Sequence, residues 1–243
     1  MTTLTLTEVT KRYVRGVTED TALDGVSLEI DAGELVGVWG RRRSGRSTLV
    51  RVAAGIVPPD SGAVLLDDVD IWSSSRTARA AARPQIAFWL PVFLPDHGSR
   101  VYRQVAVPAR RRPGRRSRRA AWAEARQLLE RVGLGDCATR TLGELNHADT
   151  VLAALARALM VRPSVLVLDE PTSGLKPLEA DRFMELLAQV ARADGIAVLV
   201  TASEVDQLER ADRTLSISDG VLRGKTVPES APVVALRPAG SGP

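Results

Sequence analysis

Apolar residues along this chain come in two rhythms. Over the first strand-like stretches they alternate weakly with polar ones: Leu4 and Leu6, then Val9, and later Val26, Leu28 and Ile30. Such alternation predicts short antiparallel strands with one solvated face. Tyr13 then falls in the turn after the first strand, either as a half-buried aromatic or as a ring that stacks on a ligand. Elsewhere the apolar residues run on without alternating. Leu35 to Trp39, Ile86 to Leu90, Val165 to Leu168 and Ile196 to Val200 are short continuous runs. That is the pattern of strands buried on both faces of a parallel sheet.

Helical spacing fills the intervals. Trp122, Ala125, Leu128, Leu129 and Val132 recur on one face, and Gly133 ends that amphipathic helix. Helices are also predicted to start at 47–54 and to span 152–160, 181–193 and 205–210, with a loop and short helix over 94–107. Residues 60–72 read as a hairpin turning at Asp67 and Asp68, and 215–223 as a hairpin around Asp219 and Gly220. The stretch 227–243 is mostly Pro, Ala, Gly and Ser with little to bury, which predicts a disordered tail. No internal repeat is visible. Strands alternating with helices make the fold class α/β.

Composition changes little in this picture. The chain has 243 residues, enough for one large core or two modest ones. A net charge of +4 does not by itself ask for a polyanion. The basic residues are nearly all Arg, with Lys only at 11, 176 and 225, and they cluster. ARRRPGRRSRR at 109–119 holds seven of them and cannot be core; it is a solvated loop and helix start, or a contact for anionic lipid headgroups or an acidic partner. That run lacks interleaved aromatics for base stacking, which argues against nucleic acid. One cysteine, Cys137, excludes an internal disulfide and fits a reducing compartment. His97, His147 and Cys137 show no metal-ligand spacing. Trp39, Trp72, Trp89 and Trp122 read as core or interface residues. The N-terminus has no basic-then-apolar leader, and no apolar run approaches the ~20 residues of a membrane span. The expectation is a soluble chain with only peripheral membrane contact.

Two stretches carry chemistry. Gly40, Arg41, Arg42, Arg43, Ser44, Gly45, Arg46, Ser47 and Thr48 come after a predicted strand and open a predicted helix. Their spacing, G-x-x-x-x-G-basic-S-T, is that of a P-loop, in which backbone amides and a helix N-terminus bind phosphate. Arg46 stands where that motif has Lys. The second stretch is VLVLDEPTSG at 165–174. Asp169 and Glu170 there leave the carboxyl end of a buried strand, where open α/β sheets bind ligands. The first acid is placed to hold magnesium, usually through water, and the second to orient or deprotonate an attacking water.

In this order the pieces resemble the nucleotide-binding subunit of an ATP-binding cassette (ABC) transporter, over roughly residues 4–226. The resemblance rests on the P-loop, on ARALMVRPSVLVLDEPTSGL at 156–175, and on GLGDCATRTLGEL at 133–145. It implies a P-loop ATPase core with a parallel sheet, an antiparallel β subdomain, and an inserted helical subdomain at about 91–158. It also implies ATP and Mg²⁺ as cofactors, a transmembrane permease as partner, and a head-to-tail dimer with ATP between each P-loop and the other subunit's signature. Matched residue by residue, Tyr13 falls on the adenine-stacking aromatic, Ser47 and Asp169 on the metal ligands, and Glu170 on the catalytic base.

Six features depart from the family. Arg46 replaces the P-loop Lys, and Arg43 an internal loop Gly. Pro91 stands at the Gln that links magnesium to the permease. LNHAD at 145–149 replaces LSGGQ. Lys176 stands at the Asp of the D-loop, and Ala202 at the His that contacts the γ-phosphate. A planar guanidinium does not replace a compact ammonium isosterically. Phosphoryl transfer depends almost wholly on positioning, so these changes together imply a large loss of rate. Three readings are open: a degenerate transport subunit paired with a competent one, an active ATPase whose altered motifs still work, or a non-catalytic interaction protein on the same fold.

Overall fold

The structure, a computed structural model, describes residues 4–16, 18–90, 98–111 and 117–224. Pro91, His97, the middle of the arginine run and the 227–243 tail lie outside the described residues. Two sheets organise the fold. The smaller is antiparallel, in the order β2-β1-β4-β5, from Leu4–Arg15 (β1), Thr18–Ile30 (β2), Ser61–Leu66 (β4) and Val69–Asp70 (β5). The larger has the order β10-β9-β3-β8-β7-β6, from Leu35–Trp39 (β3), Ile86–Trp89 (β6), Val165–Leu168 (β7), Ala197–Ala202 (β8), Arg213–Ser218 (β9) and Val221–Gly224 (β10). Its strands pair in parallel except β10, which folds back on β9.

The continuous apolar runs are explained by two cores, one on each face of this sheet. Leu166, Leu168, Val198 and Val200 point to a layer made by Val101–Val105 (α3), Arg118–Arg131 (α4), His147–Leu159 (α5) and Pro177–Asp194 (α6). Val165, Val167, Ala197 and Leu199 point the other way, to Arg46–Ala53 (α1) and the inner face of the antiparallel sheet. With both faces covered, no position on β7 or β8 faces water, so neither strand alternates. A further α-helix among the described residues, Arg76–Ala82 (α2), comes after β5. Trp89 belongs to the first core and Trp72 lies against the second, with the Arg83 guanidinium 4.1 Å above its ring.

Several sequence expectations are corrected. The first two strands are long, at 12 and 13 residues, and Tyr13 lies inside β1 opposite Asp20, not in a turn. Register shifts along β1 break the period of two, which is why the alternation is weak and the strands look short. The Ile86–Trp89 strand is an edge strand with Ile86 and Phe88 only half-buried, because it pairs with β7 alone. The predicted helix at 205–210 is a single 3₁₀ turn, Val205–Leu208. Helix α5 starts five residues before its Ala/Leu run: the Asn146 side chain accepts a hydrogen bond from the Asp149 N–H at 2.8 Å and caps a polar first turn.

Candidate functional site

The site sits where β3, β8 and β7 end together. Register Trp39↔Ala202 and Leu168↔Val200 puts the residues after β3 and after β7 on either side of the β8 terminus. The chain leaves β3 into the P-loop, and it leaves β7 into Asp169 and Glu170.

The loop is held from behind. Ser44 N–H donates to Arg41 O at 3.1 Å, and the Ser44 carbonyl accepts from Gly220 N–H, in the β9–β10 turn, at 3.0 Å. Gly40 leaves no room for a side chain, since a Cβ would meet Ser44 Oγ at 2.6 Å and collide with the Ile217 carbonyl. Gly45 has φ 108, and a Cβ there would collide with the Ala22 carbonyl of β2. Both glycines let the loop pass this close to its neighbours on the way into α1. That helix has no acidic residue in its first turn and no side-chain cap, so its N-terminal donors are free for an anion. Ser44 Oγ and Arg46 Nη1 are buried without a hydrogen-bond partner. Orphaned donors beside a helix N-terminus and a glycine cradle are the features a phosphate chain fits. Arg41, Arg42 and Arg43 ring the loop as exposed cations with no ion pair among the described residues, Ser47 is exposed, and Thr48 is buried.

Arg43 has φ 67, a conformation glycine adopts freely and a side chain resists. Arg46 is engaged within the protein. Its side chain is 6% exposed and its Nη2 lies 2.6 Å from Glu170 Oε1. The residue matched to the P-loop cation therefore pairs with the residue matched to the general base. Glu170 itself has φ 45, a left-handed conformation uncommon outside glycine.

Thr201 joins the acids to β8. It is fully buried, its hydroxyl donates to Asp169 Oδ1 at 2.8 Å, and its Oγ1 accepts from the Glu170 N–H at 3.0 Å. Sequence reasoning does not single it out. The available signal is a lone hydroxyl inside a fully apolar strand, which has to be satisfied by something. The next residue, Ala202, ends β8 as a buried methyl and offers the site no polar group. Among the described residues no cluster of three or more His, Cys, Asp or Glu could hold a metal. A magnesium ion here would rely on Ser47, Asp169, water and phosphate oxygens, which is usual for that ion.

The remaining predicted features lie on neighbouring elements. Tyr13 lies in the antiparallel sheet opposite Asp20, two residues before Ala22, whose carbonyl backs Gly45. His147 opens α5, and its Nε2 lies 3.1 Å from the Ser173 carbonyl, closing the signature segment onto the turn after Glu170. Asp149 sits in the first turn of α5, where its charge complements the helix N-terminus from within. Lys176 precedes α6, its N–H bonded to Glu179 Oε2 at 3.0 Å.

A parallel sheet carrying a glycine loop and helix N-terminus at its central strand, with two acids at a neighbouring strand end, defines a P-loop nucleotide-binding cassette. The family model described as ABC transporter matches residues 23–173, and the chain belongs to that family. Among curated proteins, it is 38% identical to the lipoprotein-releasing system ATP-binding protein LolD of Myxococcus xanthus, over 84% of this chain and 91% of that protein. It is 33% identical to the methionine import ATP-binding protein MetN of Caulobacter vibrioides, over 97% of this chain and 69% of that one. Its fold superposes with a TM-score of 0.80 on the ATP-binding cassette MJ0796, a dimer in a post-hydrolysis state bound to ADP and Pi, at 24% identity over 91% of this chain and 98% of that chain. ABC ATP-binding subunits pair with transmembrane permease components, and among the described residues no helix is long and apolar enough to cross a membrane.

Proposed function

We propose that this nucleotide-binding subunit binds ATP at its modified P-loop with little or no hydrolysis of its own. It acts on the cytoplasmic face of a membrane, docked on a permease and paired with a second, competent cassette. The observation that carries this reading is the 2.6 Å contact between Arg46 and Glu170. A carboxylate engaged by a guanidinium is turned toward that partner and is not positioned to orient an attacking water. Binding is supported by the other half of the site: the glycine cradle, the uncapped head of α1 and the exposed arginines favour a phosphate chain.

The residues divide the work accordingly. Gly40 and Gly45 let the backbone approach the phosphates, Ser44 and Arg46 hold donors toward them, and Arg41, Arg42 and Arg43 draw the polyanion in. Magnesium, held by Ser47 and Asp169, would neutralise charge between the terminal phosphates. Tyr13 supplies a ring for the adenine. What is missing is control of the attacking water, since Ala202 carries no polar group and Glu170 is engaged.

The test is ATP binding and turnover by the purified chain with Mg²⁺, alone and mixed with a competent cassette. Binding in the micromolar range is expected, with no turnover by the chain alone and only slow turnover by its sites in the mixture, because each composite site there keeps one altered half. Turnover by the chain alone that disappears in Glu170→Gln would establish a working ATPase instead. A second reading, a scaffold that binds no nucleotide, is favoured by the same Arg46–Glu170 contact if the pair never opens.

A further inference from the structure

Arg46 is an incompletely satisfied buried cation. One of its terminal nitrogens faces Glu170 Oε1 at 2.6 Å; the other, Nη1, is buried without a partner. Glu170 is not free to take any path toward it. Its backbone sits at φ 45, its N–H is tied to Thr201 Oγ1 at 3.0 Å, and its side chain is about one-third exposed, at 34%. The pair thus bridges the two halves of the site: the head of α1, behind the P-loop, and the exit of β7. A guanidinium with so little access to water needs an anion, and a phosphate and a carboxylate are the two that match its fork.

We propose that Glu170 is the resident anion of the phosphate cradle, and that nucleotide binds by exchanging a phosphate for this carboxylate on Arg46. Glu170 is then an intramolecular competitor of the ligand and helps set its affinity. Only anions that replace the carboxylate on the guanidinium, such as the diphosphate or triphosphate of a nucleotide, gain the full site. When they bind, Glu170 is released toward solvent, so the same step that fills the cradle frees the acid at the end of β7. This inference rests on the nucleotide-binding reading above.

The test is direct titration of a fluorescent ADP analogue into the full-length chain. ADP has no γ-phosphate with which to recruit a second subunit, so the affinity reports the single site. Glu170→Gln removes the competing charge while keeping size, and should tighten binding about tenfold; Glu170→Ala serves as a second variant in case the first folds poorly. With Arg46→Ala in place, the Glu170→Gln change should bring no tightening, because the exchange has lost its pivot. An unchanged or weaker affinity in both Glu170 variants overturns the proposal. So does equal tightening with Arg46→Ala, which reduces the effect to general repulsion between a carboxylate and phosphate. If wild type and all Glu170 variants bind with one affinity, only the exchange falls and the nucleotide-binding reading stands. If none of them binds, both fall.

Discussion

Arg43 shows what one residue can keep and what it gives up. Its φ of 67 is the conformation a glycine adopts freely and a side chain resists. The loop has thus accepted local strain in exchange for another guanidinium at the mouth of the site. Arg43 is exposed and makes no ion pair among the described residues, so nothing local offsets that strain. Arg43→Gly should therefore raise the unfolding free energy by about 0.5–1 kcal/mol, after allowing for the extra freedom of an unfolded glycine. Urea denaturation with an unchanged m-value checks this, and a loss of stability would mean that the arginine makes contacts which hold the loop. The glycine loop between β3 and α1 was foreseeable from the P-loop spacing, and the Asp169–Glu170 pair at the end of β7 from the apolar run before it. The partnership of Arg46 with Glu170 was not. Sequence shows a cation and an acid on different elements, and only the register of β3, β8 and β7 brings their ends together.

At the scale of elements, legibility tracked solvent. Strands β3 and β7 were readable to the residue because both their faces are buried, which leaves an uninterrupted apolar run. The antiparallel sheet was harder, since bulges in β1 shift the face that each residue presents. One polar anchor holds that irregular sheet in register. Asp60, just before β4, accepts from Lys11 Nζ at 2.7 Å and from the Arg12 N–H at 2.6 Å, both on β1. The Lys11 hydrogen bond, and after it that of the Arg12 backbone, holds the Asp60 carboxyl below its ordinary value of 3.8. A group whose folded pKa is depressed stabilises the fold above its unfolded value, and that contribution is lost as pH falls through the folded one. The effect is therefore complete above about pH 5 and fades below about pH 4. Asp60→Asn should be less stable than wild type near neutrality and should lose less stability between about pH 5 and pH 3. Parallel acid titrations of unfolding midpoints for the two chains decide it: equal slopes would mean that Asp60 is not coupled to folding.

At the scale of the molecule, two groups of departures from the family pattern fall on separate surfaces, apart from Lys176 before α6. Arg43, Arg46 and Ala202 gather at the strand ends that form this chain's own phosphate site. Asn146, His147, Ala148 and Asp149 open α5, the surface that the family resemblance assigns to the partner's nucleotide. There His147 leans on the Ser173 carbonyl and Asp149 supplies a negative charge to the helix N-terminus. The fold itself is intact, as the superposition at a TM-score of 0.80 shows, so under the proposed function the loss of hydrolysis is one of local chemistry and is open to repair. In a head-to-tail pair each composite site takes a P-loop from one copy and a signature from the other. Repairing one surface alone leaves every site of a homodimer half-built, and groups that act as a unit do not contribute additively. Arg46→Lys by itself should change ATP turnover by less than about threefold, and restoring LSGGQ at 145–149 by itself no more. A chain with Arg46→Lys and Ala202→His, mixed with a second chain carrying only the restored signature, brings a restored cation, a restored histidine and a restored signature together in one site. That mixture should turn over ATP at least ~100-fold faster than either chain alone, as measured by phosphate release with Mg²⁺. Full activity from Arg46→Lys alone would show that the guanidinium is the whole defect, and that the signature still receives a phosphate in spite of Asp149.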